Sequence, residues 1–269
     1  MKRRREDSSS RIELIPVCSL PEITQGTSLA RELVTALRRE GIALRDGDVV
    51  AVTQKIVSKA EGQIVDLRRV APSPLARRWA RRLRADPRQV EVILRETRRV
   101  VRLRGRVLIV ETRHGFICAN AGVDHSNVPG RHWVTCLPKD PDRSARRIAA
   151  DIRKRLRVRV GAILTDTWGR PWREGQLNFA IGAAGLRVLR DLRGRRDAFG
   201  HRLRATVLAT ADELAAAAGL VMGKTRGVPV VVIRGFAGLV PGSAGRSAVP
   251  RATDSARRLL RPAAQDLFR

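Results

Sequence analysis

The sequence predicts an α+β fold, with mixed sheets and flanking helices in a single unit. Three observations lead there. Short apolar strand candidates alternate with amphipathic helices along the chain, and hydrophobic residues make up 43% of 269 residues, enough for a full core. No stretch repeats with a period of about 20 to 50 residues, which excludes a solenoid.

The elements follow in order. Residues 1–10 are basic and polar and are expected to form a disordered tail, leaving 11–269 as the folded unit. Ile12 to Val17 is a strand candidate. Thr27 or Ser28 should cap a helix whose apolar face is Leu29, Leu33, Ala36 and Leu37, closed by Gly41. Asp48 to Thr53 forms an apolar strand that delivers Gln54, Lys55, Ser58 and Lys59 into one helical turn or a tight loop. Most of residues 67–106 reads as two helices, because Leu75, Trp79 and Leu83, and then Val90, Ile93 and Leu94, recur at helical spacing. Arg106 to Glu111 is the next strand. Asp140-Pro141 opens a helix with proline at its first position. Val158, Val160, Ile163 and Leu164 form a short strand that should end at Asp166-Thr167, ahead of a polar, glycine-broken loop running to Gln176. Thr210 and Glu213 match a capping box in front of Leu214 to Met222, and Val228 to Ile233 is a buried strand.

Charge and cysteine content narrow the function. A net charge of +28 invites a nucleic-acid reading. Yet only Lys2, Lys55, Lys59, Lys139, Lys154 and Lys224 are lysine among 54 basic residues, a skew that looks like coding bias toward arginine. Aromatic residues are 3% and tyrosine is absent, a poor basis for stacking single strands. The 14 arginines of residues 67–106 read first as solvated helix faces and second as a groove for an anionic ligand. Cys18, Cys118 and Cys136 are too few and too scattered for a disulfide framework or a zinc site. His114, His125, His132 and His201 lack ligand spacing, although His114 lies near the loops singled out below. No apolar run reaches the roughly 20 residues needed to span a bilayer, and no secretory signal opens the chain, so a cytoplasmic protein is expected.

Asp166-Thr167 at a strand end supplies oxygen ligands of the kind a hard cation such as Mg²⁺ or Mn²⁺ prefers. Ala218 to Thr225 nearly spells a phosphate-binding P-loop, but it ends a helix instead of opening one. Gly223 then serves as a helix C-cap, which leaves open a phosphate contact from Lys224. Trp168 and Trp172 could stack on a flat ring or simply close a loop over the core. No role can be derived for Glu174, Asp191 or Asp197.

Several segments together carry a family resemblance. Leu20-Pro21-Glu22-Ile23, the run Gly47 to Gly62, Ala121 to Val128, Thr165-Asp166-Thr167-Trp168-Gly169-Arg170 and Leu220-Val221-Met222-Gly223-Lys224 stand in the order found in the coenzyme F420-0:L-glutamate ligase family. The tail, Leu259 to Pro262 and Asp266-Leu267-Phe268, is similar too. The match covers nearly everything after Arg11.

The resemblance implies a GTP-dependent enzyme that adds L-glutamate to coenzyme F420-0 through γ-linked amide bonds, by way of an acyl phosphate. It implies Asp124 and Asp166 as metal ligands for Mg²⁺ or Mn²⁺, with Thr167 serving a second ion, and leaves room for a monovalent cation. It implies GTP contacts from Leu20, Pro21, Glu22, Ile23, Gln54, Lys55, Lys59, Asn127, Met222, Gly223, Lys224, Thr225, Arg226, Gly227 and Val228. Lys224 departs from the family pattern, because an ammonium cannot ligate the second metal. An intertwined homodimer is implied as well. Only 34 residues follow Gly235, so the FMN-binding reductase domain of some relatives is not expected. No catalytic base for the glutamate ammonium can be named. The rivals are a γ-glutamyl ligase for another acidic acceptor and a non-catalytic protein that binds nucleic acid.

Overall fold

The computed structural model describes residues 11–236 and 255–266. The expected basic tail at 1–10 and the residues Leu267 and Phe268 lie outside them. Among the described residues the architecture is α+β, with four sheets and six α-helices.

The central sheet has five strands: β1 (Glu13–Val17), β2 (Val49–Thr53), β8 (Gly161–Arg170), β9 (Arg173–Ala184) and β12 (Val230–Arg234). Their spatial order is β1-β12-β2-β8-β9. Only β2 and β8 are parallel; the other pairs run antiparallel. The strands read as continuous apolar runs because both faces of the sheet are covered. Val50, Val52, Ala162, Leu164 and Val232 pack on one side with α1 (Leu29–Arg39) and α5 (Pro141–Leu156). Val49, Ala51, Ile163, Val231 and Ile233 face α6 (Thr210–Met222) on the other. The start of α5 sits so close to β9 that a Cβ on Gly182 would lie 2.3 Å from the Pro141 carbonyl oxygen. Glycine is the residue that permits this approach.

A second, separate core belongs to residues 64–136. It joins α3 (Pro74–Leu83), α4 (Pro87–Glu96), the sheet of β4 (Thr97–Arg104), β5 (Val107–Thr112) and β6 (Ile117–Ala119), and the pair β3 (Ile64–Asp66) and β7 (Trp133–Thr135). A small antiparallel pair, β10 (Arg190–Asp191) with β11 (Val207–Leu208), forms the fourth sheet.

Several expectations need correction. The strand through Ile163 does not stop at Asp166. It continues to Arg170 and turns back into β9, pairing Asp166 with Phe179 and Thr167 with Asn178. Cross-strand pairing overrides the polar pattern that suggested a loop. The last part of the arginine-rich segment is likewise a strand, β4, because β5 supplies its hydrogen-bond partner. Thr210 and Glu213 form no capping box: Ala209 holds the N-cap position, and the Thr210 hydroxyl has no hydrogen-bond partner among the described residues. Asp212 points instead at the neighbouring sheet, accepting from Ala180 N–H at 2.9 Å. Ser28 sits at the N-cap of α1 but makes no side-chain cap bond. Residues 54–60 form α2 (Gln54–Ala60), longer than the single turn expected.

Candidate active site

Where β2 ends at Thr53, beside Thr165 of β8, chain segments far apart in sequence enclose a cavity of about 610 Å³. One wall is the loop from Leu20 to Gln25, and another is the turn after α6 from Met222 to Pro229. The strand β2 runs directly into α2, which places Gln54, Lys55 and Lys59 on the cavity. The strand β8 brings Asp166 and Thr167, and the loop after β6 brings Asp124, Ser126 and Asn127. All the candidate residues meet there except Thr225 and Arg226, which lie exposed on the turn beyond it. Three of the six lysines of the sequence line this one space.

Asp124 is delivered by a strained turn. Asn120, Ala121 and Gly122 have consecutive φ values of 53°, 54° and 71°, a left-handed run that is costly for the two residues bearing a Cβ. Backbone hydrogen bonds in both directions with Thr135, at 3.1 and 2.9 Å, then hold Asp124 against the end of β7. Its carboxylate accepts from Lys55 Nζ, from Ser126 N–H at 2.9 Å and from Ser126 Oγ at 2.5 Å. Burial pushes the Asp124 carboxyl up, but the Lys55 and Ser126 contacts outweigh it, and the group stays below its ordinary value.

Asp166 behaves in the opposite way. Burial raises its carboxyl to about 6, against the Thr167 backbone N–H and the positive charges of Lys224 and Lys55. The Asp124 charge pushes in the same direction as burial, so the two carboxylates sit within electrostatic reach of one another. Thr167 donates its hydroxyl proton to Asn178 Oδ1 at 2.5 Å, which leaves the hydroxyl oxygen as an acceptor. Lys59 is 7% exposed and pairs with Glu22 across the cavity mouth. Gln54 is buried, with its Oε1 accepting from Ser58 Oγ at 2.7 Å.

The donor set at Asp124, Asp166 and Thr167 is all oxygen. That fits a hard divalent cation of the Mg²⁺ type, which uses one or two carboxylates and completes its shell with water and phosphate oxygens. No group of three His, Cys, Asp or Glu side chains suited to a metal occurs among the described residues, so a closed zinc-type cage is not what this cavity offers.

Asn178 was not singled out from sequence. Only the strand pairing of β9 places it beside Thr167, and no local motif signals that. Ser126 lies within the run Ala121 to Val128, but nothing local in that run signals that its hydroxyl accepts from Lys55 Nζ at 2.7 Å. Trp168 does not line the cavity. It stacks against Phe179, with ring centroids 5.5 Å apart, and tilts against Phe116 at 5.7 Å, so it closes part of the core. Cys118 and Cys136 are buried, and burial raises each thiol to about 12, which leaves them inert.

Comparison with known proteins bears directly on this cavity. The family described as F420-0:Gamma-glutamyl ligase matches residues 18–235. The chain belongs to that family. A protein named coenzyme F420:L-glutamate ligase from Methanothermobacter thermautotrophicus is 43% identical over 96% of this chain and 99% of its own length. One of the same name from Methanopyrus kandleri is 45% identical over 96% and 97%, and one from Methanocaldococcus jannaschii is 40% identical over 84% and 86%. The cavity lies wholly within the matched region.

Proposed function

We propose that this chain is a GTP-dependent ligase that adds L-glutamate to coenzyme F420-0 through γ-linked amide bonds. Family membership and the names of the relatives support the ligase activity. The observation that carries the nucleotide reading is the cavity lined by three lysines and two aspartates drawn from separate segments. Its volume lies within the usual range for sites that hold one small molecule.

In the proposed reaction the acceptor carboxylate attacks the γ-phosphorus of GTP, the bond to the β-phosphate oxygen breaks, and GDP leaves. The glutamate amine, having lost a proton, then attacks the acyl carbon and releases phosphate. Asp124, Asp166 and Thr167 would hold Mg²⁺ or Mn²⁺, which supplies charge neutralisation where two anions must meet. Lys55, Lys59 and Lys224 act as point charges toward the triphosphate. The apolar walls, Leu20, Ile23 and Val228 among them, shed water from the base and ribose. Lys224 lies where it lowers the Asp166 carboxyl by its charge, and we assign it to phosphate and not to metal. We also propose that the protein works as a homodimer.

The test is to incubate the purified protein with coenzyme F420-0, glutamate, GTP and Mn²⁺ or Mg²⁺ and to weigh the products. Glutamyl additions with matching GDP release are expected, and Asp124→Asn should reduce the rate by about a hundredfold or more. Additions only to a different acidic acceptor would move the substrate assignment, and an unimpaired Asp124→Asn variant would remove the metal role.

A further inference from the structure

Lys55 is held as though it were the cavity's own cation. Its ammonium donates to Asp124 Oδ2, to the Ser126 carbonyl at 2.6 Å and to Ser126 Oγ at 2.7 Å. All three N–H groups of a lysine are thereby used. Asp124 is occupied in turn. Its Oδ1 takes the Ser126 N–H and its Oδ2 takes the Ser126 hydroxyl as well as Lys55. The Lys55 side chain is 14% exposed and that of Asp124 45%, so the ammonium is largely enclosed while the carboxylate remains open to the cavity.

We infer that Lys55 is a displaceable counter-ion that keeps Asp124 from a divalent cation until nucleotide phosphates draw the ammonium away. The proposal rests on the nucleotide and metal reading given above and adds a binding order to it. A divalent cation on Asp124 with Lys55 in place would set two cations, three positive charges in all, on one carboxylate. Lysine suits the exchange, because its charge sits on a flexible stem and needs no fixed geometry, while its Cα is anchored in α2 directly behind β2. Metal and nucleotide then bind cooperatively, and by linkage each strengthens the other by the same factor. Asp166 differs from Asp124 in its lysines: the charges of Lys224, on an exposed turn, and of Lys55 both reach it, while the Lys55 hydrogen bond goes to Asp124.

Mn²⁺ binding to the full chain, read by electron paramagnetic resonance of free Mn²⁺, tests this with and without a non-hydrolysable GTP analogue. The unaltered protein should bind Mn²⁺ weakly alone and about 5- to 150-fold more tightly with the analogue, the usual span of such coupling. Lys55→Met should bind Mn²⁺ at least about 5-fold more tightly without nucleotide and lose most of the coupling. Lys55→Arg, which keeps the charge, should stay as weak as the unaltered protein. Ser126→Ala removes one of the lysine's three acceptors and should tighten nucleotide-free Mn²⁺ binding by a smaller factor, even if Lys55→Met fails to fold. The proposal is overturned if neither Lys55→Met nor Ser126→Ala binds Mn²⁺ more tightly than the unaltered protein. Absence of Mn²⁺ binding to the unaltered protein even with the analogue would instead remove the metal reading itself, and this proposal with it.

Discussion

Asp142 ties three parts of the fold together, and replacing it by alanine should cost about 2–6 kcal/mol of stability. It lies in the first turn of α5 and is 5% exposed. Its Oδ1 accepts from Ala183 N–H at 2.9 Å in β9 and from Ala256 N–H at 2.8 Å in the C-terminal segment, while Oδ2 accepts from Ser255 Oγ at 2.6 Å. Ala183 and Ala256 are both fully buried, so alanine at 142 strands two backbone N–H groups at about 1–3 kcal/mol each. Ser255 is only half-buried, and its hydroxyl can turn to water at little cost. Asparagine keeps the Oδ1 acceptor and offers an N–H to the Ser255 oxygen. Asp142→Asn should therefore lose only about 1–2 kcal/mol, the difference between a charged and a neutral acceptor. Urea unfolding at constant m-value measures both, and a loss of about 3 kcal/mol would lower Tm by roughly 6–12 °C for a chain of this size. Two results would refute the reasoning: Asp142→Ala within about 0.5 kcal/mol of the unaltered protein, or Asp142→Asn as damaging as alanine.

Gly182→Ala should destabilise strongly or prevent folding, since its Cβ would lie 2.3 Å from a backbone oxygen that only a shift of α5 away from β9 can relieve. Thermal melts decide this, and an unchanged Tm would contradict the close packing. Asp212 carries a pH prediction. Burial, opposed by the Ala180 N–H, raises its carboxyl above 3.8 in the fold. The native state thus holds the proton more tightly than the unfolded chain, and the stability this gives is full below 3.8 and lost as pH rises through the folded value. Asp212→Asn should consequently be more stable than the unaltered protein near neutral pH, with the difference closing as the pH falls toward 4. Denaturation at several pH values would show it, and a gap that is flat or widens on acidification would rule it out. Asp48 is 2% exposed and accepts from Arg234 Nε at 3.0 Å and Nη2 at 2.8 Å. Asp48→Ala takes the carboxylate from that guanidinium, leaving it the Ala43 carbonyl at 2.7 Å, and should cost about 3–5 kcal/mol in urea unfolding; a cost under about 1 kcal/mol would place the pair among the surface bridges.

Much of the local structure was legible because it follows from short-range rules. The run Val49 to Val52 is apolar at every position because both sheet faces are covered, and Pro141 after Asp140 marks a helix start by its missing N–H. Asp140 also caps that helix as its residue type suggests, accepting from Arg143 N–H at 2.9 Å. The strands β4 and β9 escaped notice because polar or exposed side chains cover much of each. Their strand character comes from backbone partners that the sequence does not name. The expected capping box at Thr210 is displaced by one residue of register: Ala209 holds the N-cap position, and Asp212 accepts from the Ala180 N–H of β9.

The sequence by itself determined which residue types are available for chemistry: two aspartates, a threonine and three lysines in segments whose order resembles one enzyme family. Their meeting was decided only by tertiary structure. The central sheet sets β8 beside β2 although more than a hundred residues separate the paired positions, and Lys55 reaches Asp124 across a separation of 69. Such contacts carry no periodic or local signature, since they arise from the packing of elements already formed. For the same reason the opposite shifts of Asp124 and Asp166, two identical side chains, could not be read from the chain. They depend on which neighbours and how much burial the fold gives to each.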